Sequence, residues 1–250
     1  MCRHLAYLGP PASVSELIFG PPHGLYRQSY QPRRQRHGTV NVDGFGVGWY
    51  ADGDPQPVRY RRAGPIWADP SFANVARVTR SGAVLAAVRS ASAGTDPSAS
   101  AAAPYGAGRW LFSHNGTMEG WPVTAAGLAG TLPAGELLEL EARCDSALLW
   151  ALVLHRLRAG AELTDALAAT AALIEAHGVT GRFNMLLTDG SAVAATAIGE
   201  DLCYRRDPGR LLVASEPHDD DPGWIDVPDG SVLAGTADNV DIRPVLRPAA

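Results

Sequence analysis

The chain has 250 residues, 46% of them hydrophobic, with 21 Lys and Arg against 26 Asp and Glu and a formal net charge of −5. That balance lacks the basic footprint of a nucleic-acid binder, and no run of about 18 apolar residues offers a membrane span. Three cysteines (Cys2, Cys144, Cys203) are sparse and form no CxxC pair, so neither a disulfide framework nor a zinc site is expected, and a reducing cytosol fits best.

The opening MCRHLAYLG has an apolar stretch too short for a signal peptide. Residues 3–9 read as a strand starting almost at the N-terminus. Ser13 caps a short helix through Phe19, with Glu16 at the capping-box position. Residues 20–42 form a Pro/Gly/Arg-rich loop. Residues 44–51 (GFGVGWYA) alternate Gly with bulky residues, which suits a strand whose small face meets another backbone. Further strands are expected at 58–62 and 83–88, and a mobile loop at 92–106. A strand at 109–114 ends in Asn115-Gly116, a strong turn signal.

Two helices follow. Asp145 or Ser146 caps the first, over 147–157, apolar nearly all round and so buried. The second covers 165–177, with Gly178 at its C-terminal cap. Strands return at 183–188, 192–198, 202–205, 211–214 and 231–235. This order predicts an α+β fold of sheets with helix layers outside, one domain over 2–240 and a loose tail over 241–250.

Position 2 carries the chemistry. Met1 before a small side chain favours removal of the initiator, leaving Cys2 with a free α-amine and a thiol. Their pKa values, about 8 and about 8.5, let the amine serve as base to its own thiol, with no histidine required. The plain alternative is a passive chain terminus. Asn115 and Gly116 offer a side-chain amide and an accessible backbone N–H, two donors for an oxyanion, or simply a turn. Arg89, at the end of AVLAAV, suits a bidentate clamp on a carboxylate, or a surface ion pair. Asp145 suits a substrate ammonium, or helix capping. As a set they match the ends of a γ-glutamyl group: α-carboxylate, α-ammonium and side-chain carbonyl.

With Cys2 after Met1, Arg89 in VRSASAG, Asn115-Gly116 in FSHNGT and Asp145 in RCDSALL, the chain resembles the class II glutamine amidotransferases. The resemblance spans roughly 2–235 and implies the N-terminal nucleophile hydrolase fold, a four-layer αββα sandwich. It implies Cys2 as nucleophile, its amine as base and Asn115 and Gly116 as oxyanion hole, with Arg89 and Asp145 holding the glutamyl carboxylate and ammonium. The family often has Thr where this chain has Ser92; a hydroxyl is retained. His114 would line the leaving-group side. No cofactor or metal is implied, and the solvated alternative holds for the acidic loop HDDDP (218–222).

The segments MCRHLAYLG, PPHGLYRQSYQPRRQRHG and NVDGFGVGWY resemble the stand-alone hydrolase branch of this family in ergothioneine biosynthesis. That implies a small-molecule substrate, γ-glutamyl-hercynylcysteine sulfoxide, with a trimethylammonium group, an imidazole and further carboxylates. Tyr30, Trp49, Trp67 and Trp121 offer aromatic faces for the cation, with core packing as the alternative for each. Arg27, Arg33, Arg34 and Arg36 offer contacts to a carboxylate, or a solvated loop. The rival functions are a glutaminase subunit feeding ammonia to a separate synthase, a hydrolase of another γ-glutamyl compound, and a non-catalytic binder.

Overall fold

The computed structural model of the chain describes residues 2–92 and 94–245. In chain order the elements are β1 (Arg3–Ser13), α1 (Val14–Ile18), α2 (Leu25–Gln28), β2 (Phe45–Trp49), β3 (Val58–Arg62), α3 (Pro70–Val78), β4 (Arg80–Val88), β5 (Tyr105–Ala107) and β6 (Trp110–Met118). Then come α4 (Ala126–Ala129), α5 (Ala134–Leu138), α6 (Asp145–Arg158), α7 (Leu163–Ala176), β7 (Gly181–Thr188), β8 (Val193–Ala197), β9 (Cys203–Asp207), β10 (Arg210–Ala214), β11 (Ile225–Asp226), β12 (Ser231–Gly235) and β13 (Val240–Pro244). Two antiparallel sheets result, ordered β11-β9-β10-β1-β4-β2-β3 and β13-β12-β8-β7-β6-β5.

Strand periodicity explains why four layers form. In β1, Leu5 and Tyr7 face outward and pack with Val14, Leu17 and Ile18 of α1 and Phe72 and Ala76 of α3. Ala6 and Leu8 face inward and meet Leu111 and Leu186 of the other sheet. In that sheet Phe112, Met185 and Leu187 face outward beneath α6 and α7. Helix α6 is buried without a break from 147 to 154, as its uniformly apolar sequence predicts. The order helix, sheet, sheet, helix is the expected αββα sandwich.

Several local predictions hold. Ser13 Oγ accepts the Glu16 N–H at 3.1 Å while the Glu16 carboxylate accepts the Ser13 N–H at 2.7 Å, a complete capping box. In β2 the glycines face the second sheet: a Cβ on Gly46 would stand 2.4 Å from the Ala103 carbonyl, and one on Gly48 2.6 Å from Leu111. Gly178 takes a φ of +65° just past α7.

Other parts differ. Asn115-Gly116 is no turn: β6 runs through it to Met118, with Asn115 opposite Asn184 and Gly116 opposite Phe183. The turn propensity is overridden by pairing with β7. Helix α6 begins at Asp145 itself, with Cys144 at the cap position. Helix α3 goes beyond the sequence expectation, although Asp69 caps it by accepting the Phe72 N–H at 3.1 Å and Pro70 opens it. Strand β5 begins at Tyr105, within the last residues of the 92–106 segment expected to be loop. Residues 241–244, expected as tail, belong to β13 and pair with β12, because Val240 and Ile242 pack against the core between the sheets. Residues 246–250 of that tail lie outside the described residues. Among the described residues, no helix is long and apolar enough to cross a membrane.

Candidate active site

The register of β1 brings the site together. Arg3 pairs with Val88, so the next residues outward, Cys2 and Arg89, lie side by side at one sheet end. The inward alternation of β1 points Cys2 and His4 at the second sheet. There the Cys2 N–H donates to Asn115 Oδ1 at 3.2 Å, and His4 Nδ1 lies 3.2 Å from Ser113 Oγ. Cys2 is therefore anchored at a strand end between the sheets.

Asn115 is fully buried. Its Oδ1 faces Cys2 and its Nδ2 donates to Ser215 Oγ at 3.4 Å. Ser215, just past β10, also accepts the His4 N–H at 3.0 Å and donates its own N–H to the His4 carbonyl at 3.0 Å. These bonds fix which way the Asn115 amide points and leave its second N–H to serve a ligand. Ser215 escaped the sequence reading because no local motif surrounds it; only β1–β10 pairing carries it here.

The strand parity at Gly116 matters more than its turn propensity. Phe183 donates its N–H to the carbonyl of Ile198, just past β8, at 2.8 Å, so the opposed Gly116 turns its N–H away from β7. Two residues on, Met118 does the same, and its N–H meets Asp145 Oδ2 at 3.0 Å. Beside it β5 pairs only as far as Phe112, so the Gly116 N–H lies on an open strand edge. A Cβ here would stand 1.9 Å from the Arg182 carbonyl, so only glycine fits.

Asp145 is 6% exposed. It accepts from the Met118 and Ser146 backbone N–H groups, at 3.0 and 2.8 Å, one per oxygen. Two of its roughly four acceptor positions stay available. Arg89, 7% exposed, reaches Thr95 Oγ1 at 3.0 Å and the Asp43 carbonyl at 3.5 Å. Among the described residues it forms no ion pair, so the surface ion pair is not its role. Ser92 Oγ lies 3.4 Å from Thr117 Oγ1.

His114 departs from expectation. It faces outward with Phe112 and Met118, stacks on Phe183 with centroids 6.2 Å apart, and is engaged at both nitrogens. Its Nε2 lies 3.0 Å from the Arg182 carbonyl and its Nδ1 3.0 Å from Ser146 Oγ. The carbonyl requires the proton on Nε2, so Nδ1 accepts from Ser146. Burial lowers its pKa, opposed by Asp145, and keeps the ring neutral. It braces the start of α6 through Ser146.

The remaining candidates scatter. Trp49 and Trp121 pack on different cores, while Tyr30 and Trp67 form an exposed edge-to-face pair at 5.7 Å. Arg27 stands 5.7 Å from the Tyr30 centroid. Arg33, Arg34 and Arg36 each hold a carboxylate: Asp220 at 2.6 Å, Asp226 at 2.5 Å and Asp201 at 2.5 Å. The acidic loop is spent on ion pairs, with Asp220 on Arg33 and Asp221 on Arg205 at 3.0 Å.

A family model described as class-II glutamine amidotransferases matches residues 25–210. The chain belongs to that family. It is 41% identical over 245 residues, 98% of this chain and 100% of the relative, to a γ-glutamyl-hercynylcysteine sulfoxide hydrolase of Mycolicibacterium smegmatis. It is 42% identical over 247 residues, 99% of this chain and 98% of the relative, to a protein of the same name in Mycobacterium tuberculosis. Among solved structures, a glutamine aminotransferase class-II domain protein from Silicibacter pomeroyi superposes with a TM-score of 0.68 at 26% identity, covering 98% of this chain and 100% of that one.

Proposed function

We propose that this protein is an N-terminal cysteine amidohydrolase that cleaves the γ-glutamyl amide bond of γ-glutamyl-hercynylcysteine sulfoxide in the cytosol, releasing glutamate and hercynylcysteine sulfoxide. The chemistry rests on the meeting of Cys2 and Asn115 across the sheets at 3.2 Å. The choice of substrate rests on the shared name of relatives 41% and 42% identical over nearly the whole chain.

Removal of Met1 turns the Cys2 nitrogen into a primary amine held beside Asn115 Oδ1. Oδ1 accepts one of its hydrogens, and the nitrogen lone pair takes the thiol proton. The thiolate then attacks the γ-carbonyl carbon. The carbonyl electron pair moves to oxygen, which the second Asn115 Nδ2 hydrogen and the Gly116 N–H stabilise. On collapse the C–N bond breaks, and the protonated amine gives its proton to the departing nitrogen. Water, deprotonated by the same amine, cleaves the thioester and glutamate leaves. Arg89 holds the glutamyl α-carboxylate and Asp145 its α-ammonium, so the γ-carbonyl is presented to sulfur.

The test is glutamate release by the processed enzyme from free glutamine and from the sulfoxide. A strong preference for the sulfoxide supports this reading. A preference for glutamine, rising with a partner synthase, would instead make the protein an ammonia-supplying subunit.

A further inference from the structure

Beside the Cys2 pocket a cleft of about 620 Å³ opens between the 33–36 loop, residues 199–202 and residues 226–229. It falls within the roughly 300–1,000 Å³ range of small-molecule sites. Three connections tie it to the chemistry. Arg3, next to Cys2, donates through Nε to Gln35 on the cleft wall at 3.3 Å. Glu216, next to Ser215, accepts the Arg33 and Arg34 backbone N–H groups at 2.9 and 2.8 Å. Asn184, opposite Asn115, donates to the Glu200 carbonyl at 2.9 Å. The cleft is thus joined to the Cys2 pocket through Arg3 beside Cys2, Glu216 beside Ser215 and Asn184 across from Asn115.

The lining carries both charges. Arg33, Arg34 and Arg36 stand against Glu200, Asp201, Asp226 and Asp229, and no lining residue is aromatic. Glu200 is 5% exposed, yet neither carboxylate oxygen receives a hydrogen bond. Arg182 Nε stands 2.7 Å away but off the hydrogen-bonding line. Arg3, fully buried, has no partner for Nη1 or Nη2. Arg3 lies within electrostatic reach of Glu216, Glu200, Cys2 and Asp201, so these buried charges compensate one another and run from the cleft wall to the Cys2 pocket.

We propose that this cleft is the leaving-group subsite, with the quaternary ammonium of the substrate against Asp201 and Asp226 and its carboxylates against Arg34 and Arg36. The proposal rests on the substrate reading above. A trimethylammonium group has no N–H to give, so its attraction to these carboxylates is purely electrostatic and needs no fixed hydrogen-bond geometry. The Arg34–Asp226 and Arg36–Asp201 pairs are partly exposed, and such pairs contribute about 0–1 kcal/mol. A zwitterion can therefore take both partners of each pair at little cost, the cation replacing arginine on aspartate and the freed arginine meeting a carboxylate. In this subsite the cation is held by carboxylates, in place of the aromatic faces expected from the sequence.

The test is an Asp201→Asn/Asp226→Asn double variant of the processed enzyme, assayed on the sulfoxide and on γ-glutamyl-p-nitroanilide, whose leaving group is uncharged. The expected result is a KM for the sulfoxide raised about tenfold or more, with kcat nearly kept and the anilide reaction unchanged. Equal losses on both substrates, or none on either, overturn the assignment. Asp226→Ala alone, at a side chain 69% exposed, keeps the test open should the double variant unfold. Calorimetric titration with trimethylhistidine decides the cleft independently of turnover: binding to wild type that is lost in the variant supports it, and binding that is unaltered or absent overturns it. A wild-type enzyme that prefers glutamine to the sulfoxide would defeat the substrate reading, and the titration would still judge the cleft.

Discussion

The Cys2 pocket and the cleft beside it are neighbours held by different means. The pocket is borne on strands: Cys2, Arg89, Asn115 and Gly116 take their places from β1, β4 and β6 register, and backbone groups hold the Asp145 carboxylate. The cleft is borne largely on loops, and long side chains in solvent-screened pairs close it. Chemistry at a carbonyl needs donors fixed to a fraction of an ångström, which packed strands supply. Recognition of a zwitterion needs charges that can change partners, which exposed ion pairs supply.

If the pocket is the rigid half, its residues should fail outright when altered, in both reactions. Cys2→Ala should lower kcat by about four orders of magnitude or more with the melting temperature unchanged. Retention of Met1 behind a blocking tag should be equally damaging, because the base becomes an amide; full activity with Met1 in place would defeat the amine as base. Asn115→Ala should cost about 10²–10³ in kcat on the sulfoxide and the anilide alike. A loss confined to the sulfoxide would move Asn115 from the oxyanion to the leaving group.

The same contrast governs what could be read from sequence. The candidate pocket residues could be picked out because they lie in short local patterns, and the alternation that points Cys2 inward is written in β1. What was not legible came from pairing. Asn115-Gly116 looks like a turn, and only β7 keeps it extended, which is also what sends the Gly116 N–H to the open edge. Ser215 lies 100 residues from the amide it orients. His114 adjoins Asn115 in sequence but faces the opposite side of the sheet, so adjacency misled where parity decides. The arginine loop was noticeable by composition, but its acidic partners come from residues 201, 220 and 226, which no spacing links to it.

Asp145 tests the boundary between the two regions, since it ties the Met118 and Ser146 backbones and, in the proposed reaction, holds the substrate ammonium. Asp145→Asn keeps an acceptor for the Met118 N–H but removes the charge. The expected result is a KM raised about tenfold to a hundredfold for both substrates with a smaller change in kcat. A large drop in melting temperature without a KM effect would make the carboxylate a structural tie only.

Histidine 4 extends the comparison to pH. Burial between the sheets, together with His114 and Arg3 nearby, pushes its pKa down from 6.5 to about 3. Between those values the unfolded chain binds a proton that the folded chain refuses, so stability falls as the solution is acidified from about pH 6.5 toward pH 3. The slope from this one group is at most about 1.4 kcal/mol per pH unit. His4→Gln should flatten that part of the acid denaturation curve. An unchanged curve would show that other groups govern it.

The smallest effects belong to the cleft's arms. Arg36, with its side chain 64% exposed and paired to Asp201, should change stability by no more than about 0.5 kcal/mol when replaced by Ala. Its removal leaves Asp201 free for the cation but takes away a contact for a carboxylate. The sulfoxide KM should therefore shift only severalfold, and shift less at high salt, because screening weakens such contacts. The anilide reaction should not respond. An Arg36→Ala enzyme with an unchanged KM at low and high salt would confine carboxylate recognition to Arg34, which is about half as exposed at 35%. An equal loss on the anilide would place the arm over the Cys2 pocket and erase the division of labour between the two regions.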